Sequence, residues 1–296
     1  MNAYMIGFVI LNIIFALFYA PLADGIERKV KARVQRRQGP PIMQTWYDLI
    51  KLFRRESLYP EESVKYLFLS APFFAFFAIL TAYLIVPTIF PDALFFYGDL
   101  IVLIYLLTFS SIIFVIGAFA SSNPFAQVGG NREVSLMITE EFLMAFVVGT
   151  LAVITGTLKL NALFPLPLKI STILVLILYL IAMYVASVRL PFDIPEAEPE
   201  IAEGPFIEYS GKHLGFVLYT IYLKRILLAS LFLNFILPSD VIMRTIGYIV
   251  GIILIPIILA TIEAHMGRMR IDQAVRVLKK VSLLGLISWI IAFIGW

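Results

Sequence analysis

The chain has 296 residues, 61% hydrophobic and only 15% charged, with a mean hydropathy of +0.94. Soluble globular chains are nearer half apolar and a quarter charged, so this composition excludes a water-facing fold and points to lipid. The chain has no cysteine, which excludes a thiolate-held iron–sulfur cluster, and its net charge of +3 matters less by size than by placement along the chain.

A helix needs roughly 20 apolar residues to cross the hydrocarbon of a bilayer. Apolar runs of that kind predict spans at 2–22, 66–89, 99–120, 138–157, 170–189, 213–236, 242–262 and 281–296, the last able to begin as early as Val275. The expectation is an all-α polytopic membrane protein with about eight transmembrane helices. It forms a single integral membrane domain over residues 1–296, with no separate soluble part. The first run has no basic leader and no clear cleavage site, so it counts as a span and not a signal peptide. Lys and Arg crowd into the loops at about 23–65, 121–137, 190–212 and 263–280, leaving Lys159, Lys169 and Arg244 on the other side. The positive-inside rule makes the crowded side cytoplasmic. The chain is then a multi-pass protein of the cell membrane with both termini extracytoplasmic.

The first loop opens with the basic run GIERKVKARVQRRQGPP and continues as MQTWYDLIKLFRRES. In the second stretch Trp46, Leu49, Ile50 and Phe53 recur at helical spacing, while Asp48, Lys51, Arg54 and Arg55 fall largely elsewhere around the wheel. That pattern predicts an amphipathic interfacial helix, and HMGRMRIDQAVRVLKK has a weaker version of it. Glu140 and Glu141 open the fourth predicted span. They are either acids favoured by a helix N-terminus or the inner part of a carboxylate path. Arg132 and Glu133 are a candidate ion pair beside them.

Loop 190–212 carries Asp193, Glu196, Glu198, Glu200, Glu203 and Glu208, interleaved with Pro191, Pro195, Pro199 and Pro205. The prolines forbid one continuous helix. Six carboxylates this close must be partly neutralised by protons, hydrogen bonds or cations, and Arg189 and the basic first loop are candidate partners. Such a cluster can hold and release protons; the plainer alternative is a solvated acidic connection. Lys224 and Arg225 fall halfway along the sixth span, where an ion costs about 2.5–3.5 kcal/mol on insertion scales. They need a polar interior, with carboxylates of the fourth span or the acidic loop as candidate partners. Glu263, at the end of the seventh span beside His265, has the look of an interfacial charge. His213 and His265 both lie near predicted helix ends, so no facing pair of haem ligands is available. Tyr83, Trp289 and Trp296 fit packing and interface belts better than a quinone cage.

Four segments together resemble the complex I subunit 1 family, and most closely its version in complex I-related membrane-bound hydrogenases and sulfane reductases. They are Glu27-Arg-Lys with Gln35-Arg-Arg-Gln-Gly-Pro-Pro, the run from Gln44 to Phe53, Glu140-Glu-Phe, and Arg189-Leu-Pro-Phe-Asp-Ile-Pro-Glu-Ala-Glu-Pro-Glu with Glu208-Tyr-Ser-Gly. The resemblance implies a subunit that anchors a hydrophilic redox arm to the membrane arm. By that resemblance, Asp193, Glu196, Glu198, Glu200, Glu203 and Glu208, continued by Glu140 and Glu141, form the start of a proton path. Lys224 and Arg225 are coupling residues near it, and Arg28, Arg36, Arg37 and Asp48 face the redox module. The implied partners are a small iron–sulfur subunit, a large catalytic subunit with a quinone or nickel–iron site, and antiporter-like membrane subunits; no nucleic acid is involved. The chain itself is expected to hold no metal, no cofactor and no catalytic site.

Quinone-reducing members usually have Glu-Tyr in span six, where this sequence has Ile221-Tyr222. That disfavours a quinone as a bound cofactor and favours the ferredoxin-driven hydrogenase or sulfane reductase type. A quinone-site subunit of an NADH- or ferredoxin-quinone oxidoreductase is the runner-up. A stand-alone ion transporter is a third reading, against which no inverted repeat is found, and a purely structural anchor is a fourth.

Overall fold

The computed structural model describes residues 3–88, 99–196, 198–238 and 240–295, without the side chains of residues 3–5, 161, 162, 198 and 199. The described residues are helical and contain no strand. In chain order the helices are α1 (Ala3–Val34), α2 (Gln44–Arg54), α3 (Lys65–Ala82), α4 (Asp99–Ala120), α5 (Pro124–Thr155), the single turn α6 (Leu160–Leu163), α7 (Ile170–Ala186), the short α8 (Glu198–Ile201), α9 (Gly211–Ile236), α10 (Val241–His265) and α11 (Ile271–Ile294). Seven are long and apolar enough to cross a membrane, and α7, at 17 residues, is a shorter apolar helix in the position of the fifth predicted span.

Four helix ends differ from the sequence expectation. α1 runs on to Val34, because Asp24, Glu27, Arg28 and Lys31 sit inside a helix and not after one. α5 starts at Pro124, 14 residues before the predicted 138. Its start has a local cause: the Asn123 side chain accepts from Phe125 N–H at 2.8 Å, with proline at the first helical position. Its end is Gly156 in the left-handed region, φ 69°. α11 begins at Ile271, where the Gln273 side chain accepts the Arg270 N–H at 3.2 Å. α3 ends at Ala82, and the predicted continuation to residue 89 passes through turns and then outside the described residues. Trp296 also lies outside them.

Cross-links between loops fix which ends lie together. Val64 N–H donates to Ala120 O, Leu58 N–H to the Ser210 hydroxyl, and Met269 N–H to Pro191 O. The ends of α1, α4, α7 and α10 and the starts of α3, α5, α9 and α11 therefore share one loop-rich end. At the opposite end Leu100 N–H reaches Leu158 O, Leu166 N–H reaches Phe235 O, and Asn234 donates to Pro87 O.

α9 is the central post, packing on α1, α2, α3, α7 and α10. Close approach replaces hydrophobic drive where lipid is already apolar: a Cβ at Gly251 of α10 would lie 2.3 Å from a Leu233 methyl of α9. The outward faces of α1, α10 and α11 show Ile14, Phe18, Ile246, Ile253, Leu283 and Ile290 to the surroundings. α2 lies against α1 and α9, burying Thr45 and Leu49, with Phe53 edge-on to Phe216 at 5.2 Å. Ile50, of the same apolar set, points outward.

Prolines interrupt α1, α3 and α10. Each deprives the carbonyl four residues earlier of its helical partner, and a tyrosine hydroxyl donates to each of those carbonyls. Pro21 frees Leu17 O, which accepts from Tyr219 at 2.7 Å; Pro72 frees Phe68 O, which accepts from Tyr209 at 3.2 Å; Pro256 frees Ile252 O, which accepts from Tyr19 at 3.0 Å. A bared carbonyl in a bilayer must be met by a neighbouring group, and here the neighbour comes from a distant part of the chain.

Candidate functional site

The site begins with the charged end of α1. Asp24, Glu27 or Arg28, and Lys31 recur at helical spacing, so one face of an apolar helix carries a charge ladder. Ions in such a place must pair. Arg189, 2% exposed, donates to both Glu27 oxygens at 2.8 and 2.5 Å and to Glu263 at 3.3 Å. Lys31 meets Glu263 at 2.6 Å. Arg225 reaches Asp24 at 3.3 Å and Glu27 at 3.8 Å, and donates to Ser187 O. Arg28 pairs with Asp24 at 2.8 Å and Asp48 at 3.2 Å, and donates to the Tyr222 hydroxyl. Thr45 and Gln44 of α2 complete Asp24 and Asp48. Glu263, Glu27, Asp24 and Asp48 thus alternate with Lys31, Arg189, Arg225 and Arg28, and the charges balance.

A second constellation lies on the other side of α9. Successive residues of a helix point about 100° apart, so Arg225 turns to α1 while Lys224 turns to α4 and donates to the Ser111 hydroxyl at 2.9 Å. Lys224 and Ser111 line two cavities. The first, about 30 Å³, is also lined by Glu133, Glu196, Ile221 and Phe206. The second, about 20 Å³, is lined by Glu140, Glu141, Met137 and Met144. Either volume has room for one or two water molecules. Glu133 and Glu140 are seven residues apart on α5, two turns or roughly 10 Å along one face. Glu141 Oε1 is buried with no hydrogen-bond partner.

The acidic loop is packed against the bundle at Phe192, Ile194, Ile201 and Pro205, and its acids have separate duties. Asp193 pairs with Arg268. Glu200 pairs with Arg132 at 2.7 Å, and Glu208 accepts from the Asn123 amide at 2.5 Å. Glu203 is exposed, in a left-handed turn with φ 68°. Glu198 is in α8, and its side chain lies outside the described residues. Of the five acids whose side chains are described, Glu196 alone lines the first cavity. The turn Gly204–Phe206 seats the loop on α5 at Gly129, where a Cβ would lie 2.6 Å from Pro205 Cδ and 2.8 Å from Gly204 Cα.

Burial pushes the Glu196 carboxyl up to about 7, against the pull of Arg225 and with help from Glu133, Asp193 and Glu203. The folded chain then keeps a proton that an unfolded carboxyl releases near 4.5. The stability it contributes is complete below that lower value and lost as pH rises through about 7. Glu196→Gln is therefore expected to melt with the parent near pH 4.5 and above it at pH 8, in detergent-solubilised protein. A melting difference that does not change between those pH values would contradict this.

At the loop-rich end a third cavity of about 380 Å³ is lined by Arg28, Lys31, Gln35 and Arg37 with Gly39 and Pro40. It is an open basic pocket. Arg36 adjoins it in sequence but does not line it, and has a left-handed backbone, φ 57°.

Several expectations about contacts are corrected by this arrangement. Glu140 and Glu141 stand mid-helix, 16 and 17 residues past Pro124, so the helix N-terminus does not account for them. Arg132 pairs with Glu200 and not with Glu133. Arg225 pairs with α1 and not with span four or the acidic loop. Glu263 is buried, 7% exposed, and is held by Arg189 and Lys31. Arg189 turns from its own loop to Glu27 and Glu263. Asp24, Lys31 and Ser111 do not stand out in the sequence; the ladder at 24, 27, 28 and 31 is the available signal for the first two, and Ser111 leaves none. Among the described residues no group of three or more His, Asp or Glu side chains is placed to hold a metal ion.

The sequence model of the NADH dehydrogenase family matches residues 6–294. The chain is 33% identical over 247 residues to hydrogenase-4 component C of Escherichia coli (strain K12), covering 80% of this chain and 77% of that one. It is 29% identical over 285 residues to formate hydrogenlyase subunit 4 of the same organism, covering 90% and 91%. Among solved structures it is similar to a chain of a membrane-bound sulfane sulfur reductase, an archaeal respiratory membrane complex. The TM-score there is 0.87 at 26% identity, over 97% of this chain and 99% of that one.

Proposed function

Since this chain belongs to the NADH dehydrogenase family, we propose that it is the membrane-anchoring, ion-coupling subunit of a complex I-related respiratory oxidoreductase of the hydrogenase or sulfane reductase type. The observation that carries this reading is the pair of acid-lined cavities meeting at Lys224, in a chain that also has a basic pocket at its loop-rich end. The relatives named hydrogenase, formate hydrogenlyase and sulfane sulfur reductase support the choice of type.

In this reading the loop-rich end is cytoplasmic and both termini are extracytoplasmic, as the distribution of Lys and Arg favours. The pocket around Arg28 and Arg37, flanked by Arg36 and braced by Asp48, receives the hydrophilic arm with its iron–sulfur and catalytic subunits. A redox step there changes the local charge, which shifts proton affinities in the acidic loop; each pKa unit is worth about 1.4 kcal/mol. Asp193, Glu198, Glu200, Glu203 and Glu208 form the outer rim, Glu196 is the entry, and Glu140 and Glu141 continue inward to antiporter-like subunits. Arg225 holds the charge ladder beside this path. Ile221 lines the first cavity at the position where the resemblance places a glutamate in quinone-reducing members. That apolar substitution, in a cavity of about 30 Å³, favours a quinone-free partner site over the quinone reading.

The test is the intact complex, purified with its partners identified by mass spectrometry and reconstituted into sealed vesicles. Glu141→Gln is expected to leave electron transfer measurable and to cut the ions moved per electron at least tenfold. Full ion yield in that variant, or purification without any iron–sulfur partner, contradicts the assignment.

A further inference from the structure

The two acid-lined cavities share only two lining residues, Ser111 and Lys224. On one side of that pair are Glu133 and Glu196, on the other Glu140 and Glu141. The ammonium is tethered by a single 2.9 Å hydrogen bond to a hydroxyl, not locked by a carboxylate. Arg225, its neighbour on α9, shows the contrast, since it is held by Asp24 and Glu27 and faces away.

We propose that Lys224, held by Ser111, is the proton relay between the two acid pairs, and that the ion passed through this neck is a proton and not a metal cation. The proposal rests on the coupling role assigned above and names the ion and the switching residue. The chemistry balances within the chain. The Lys224 ammonium gives a proton, directly or through one water, to the Glu140 or Glu141 carboxylate and becomes an amine. The amine then takes a proton from the carboxylic acid of Glu196 or Glu133 and becomes the ammonium again. Only N–H and O–H bonds change, and the sum is one proton moved from the loop side to the membrane interior. A lysine can make this exchange, because its amine both donates and accepts; a guanidinium stays charged at all working pH. A sodium ion has no such route, since no exchange of N–H and O–H bonds carries it and it would have to pass the Lys224 side chain bodily through spaces sized for one or two waters.

The groups facing Lys224 are Glu133, Glu140 and Glu141 from α5, Glu196 from the acidic loop and Ser111 from α4. No residue of α3 lines either cavity; its one charge, Lys65, is at its start and donates to Tyr59.

The experiment uses the intact complex in sealed liposomes, driven by a reduced low-potential electron donor, with internal pH and sodium both recorded. Lys224→Met and Lys224→Arg are each expected to cut protons moved per electron at least tenfold. Arginine keeps the charge and length but cannot release its proton, so a merely structural countercharge would be rescued by it. Lys224→Arg pumping within twofold of the parent overturns the relay. If Glu141→Gln fails to pump while both Lys224 variants pump, the relay falls and the coupling role stands; if all three pump, both fall. Should neither Lys224 variant assemble, Ser111→Ala decides. It is expected to slow proton transfer several-fold with an enlarged slowing in D2O, and parent-like rates in both solvents overturn the proposal.

Discussion

Arg189→Ala is expected to cost more stability than any other single truncation in the bundle. The guanidinium is 2% exposed and is the direct partner of Glu27, itself 2% exposed, and of Glu263. Glu263 keeps Lys31, but Glu27 is left with Arg225 at 3.8 Å. Removing one member of a buried pair typically costs about 3–5 kcal/mol, because an uncompensated charge remains. A whole domain has only about 5–15 kcal/mol to lose. The expected result is a large fall in detergent-solubilised melting temperature and little assembled complex. The double variant Arg189→Met, Glu27→Gln should recover part of the loss, since no unpaired charge stays buried. A single variant that melts with the parent would show that the pair is not desolvated in the assembled membrane protein.

The second large effect is expected at Gly129→Val. The helix surface there is pressed against the turn of the acidic loop, and the clash is with backbone and a rigid proline ring, which have no rotamer to escape into. Overpacking of this kind costs about 1–3 kcal/mol. The more telling consequence is functional: relief by lifting the loop draws Glu196 away from the cavity it shares with Lys224. Coupling should fall several-fold while α5 stays helical, with electron transfer as the control. Gly129→Ala should do the same to a smaller degree. A valine variant with full ion yield per electron would mean that the loop's seat on α5 does not position the acids.

Much of the bundle is legible without coordinates. Apolar runs long enough for the hydrocarbon locate the seven long apolar helices and the shorter α7, and period-3.6 patterning locates α2. The failures at the end of α1 and the start of α5 have one cause. Charge in the sequence reads as the end of a helix, but α1 continues for three turns beyond residue 22 because its ladder of ions meets Arg189, Arg225 and Glu263 from other parts of the fold. The start of α5 is hidden likewise, since Gly129, Asn131 and Arg132 look like loop until the acidic turn is laid over them. Within the site, residue types are readable for Glu140, Glu141, Lys224 and Arg225, and the mid-helix position for the last two. Which way each cation points is not, because neighbouring helix positions diverge by a rotation that only packing chooses.

The tyrosines that answer the proline-bared carbonyls have a bearing on biogenesis. Tyr219 lies 202 residues after Leu17, Ile252 lies 233 residues after Tyr19, and Tyr209 lies 141 residues after Phe68. As the ribosome delivers the chain from its beginning, α1 and α3 enter the bilayer with one backbone acceptor each unmet, and they wait for partners synthesised at least 141 residues later. A nascent chain halted before Tyr209 carries both vacancies, so neither helix is fully satisfied in lipid until α9 arrives.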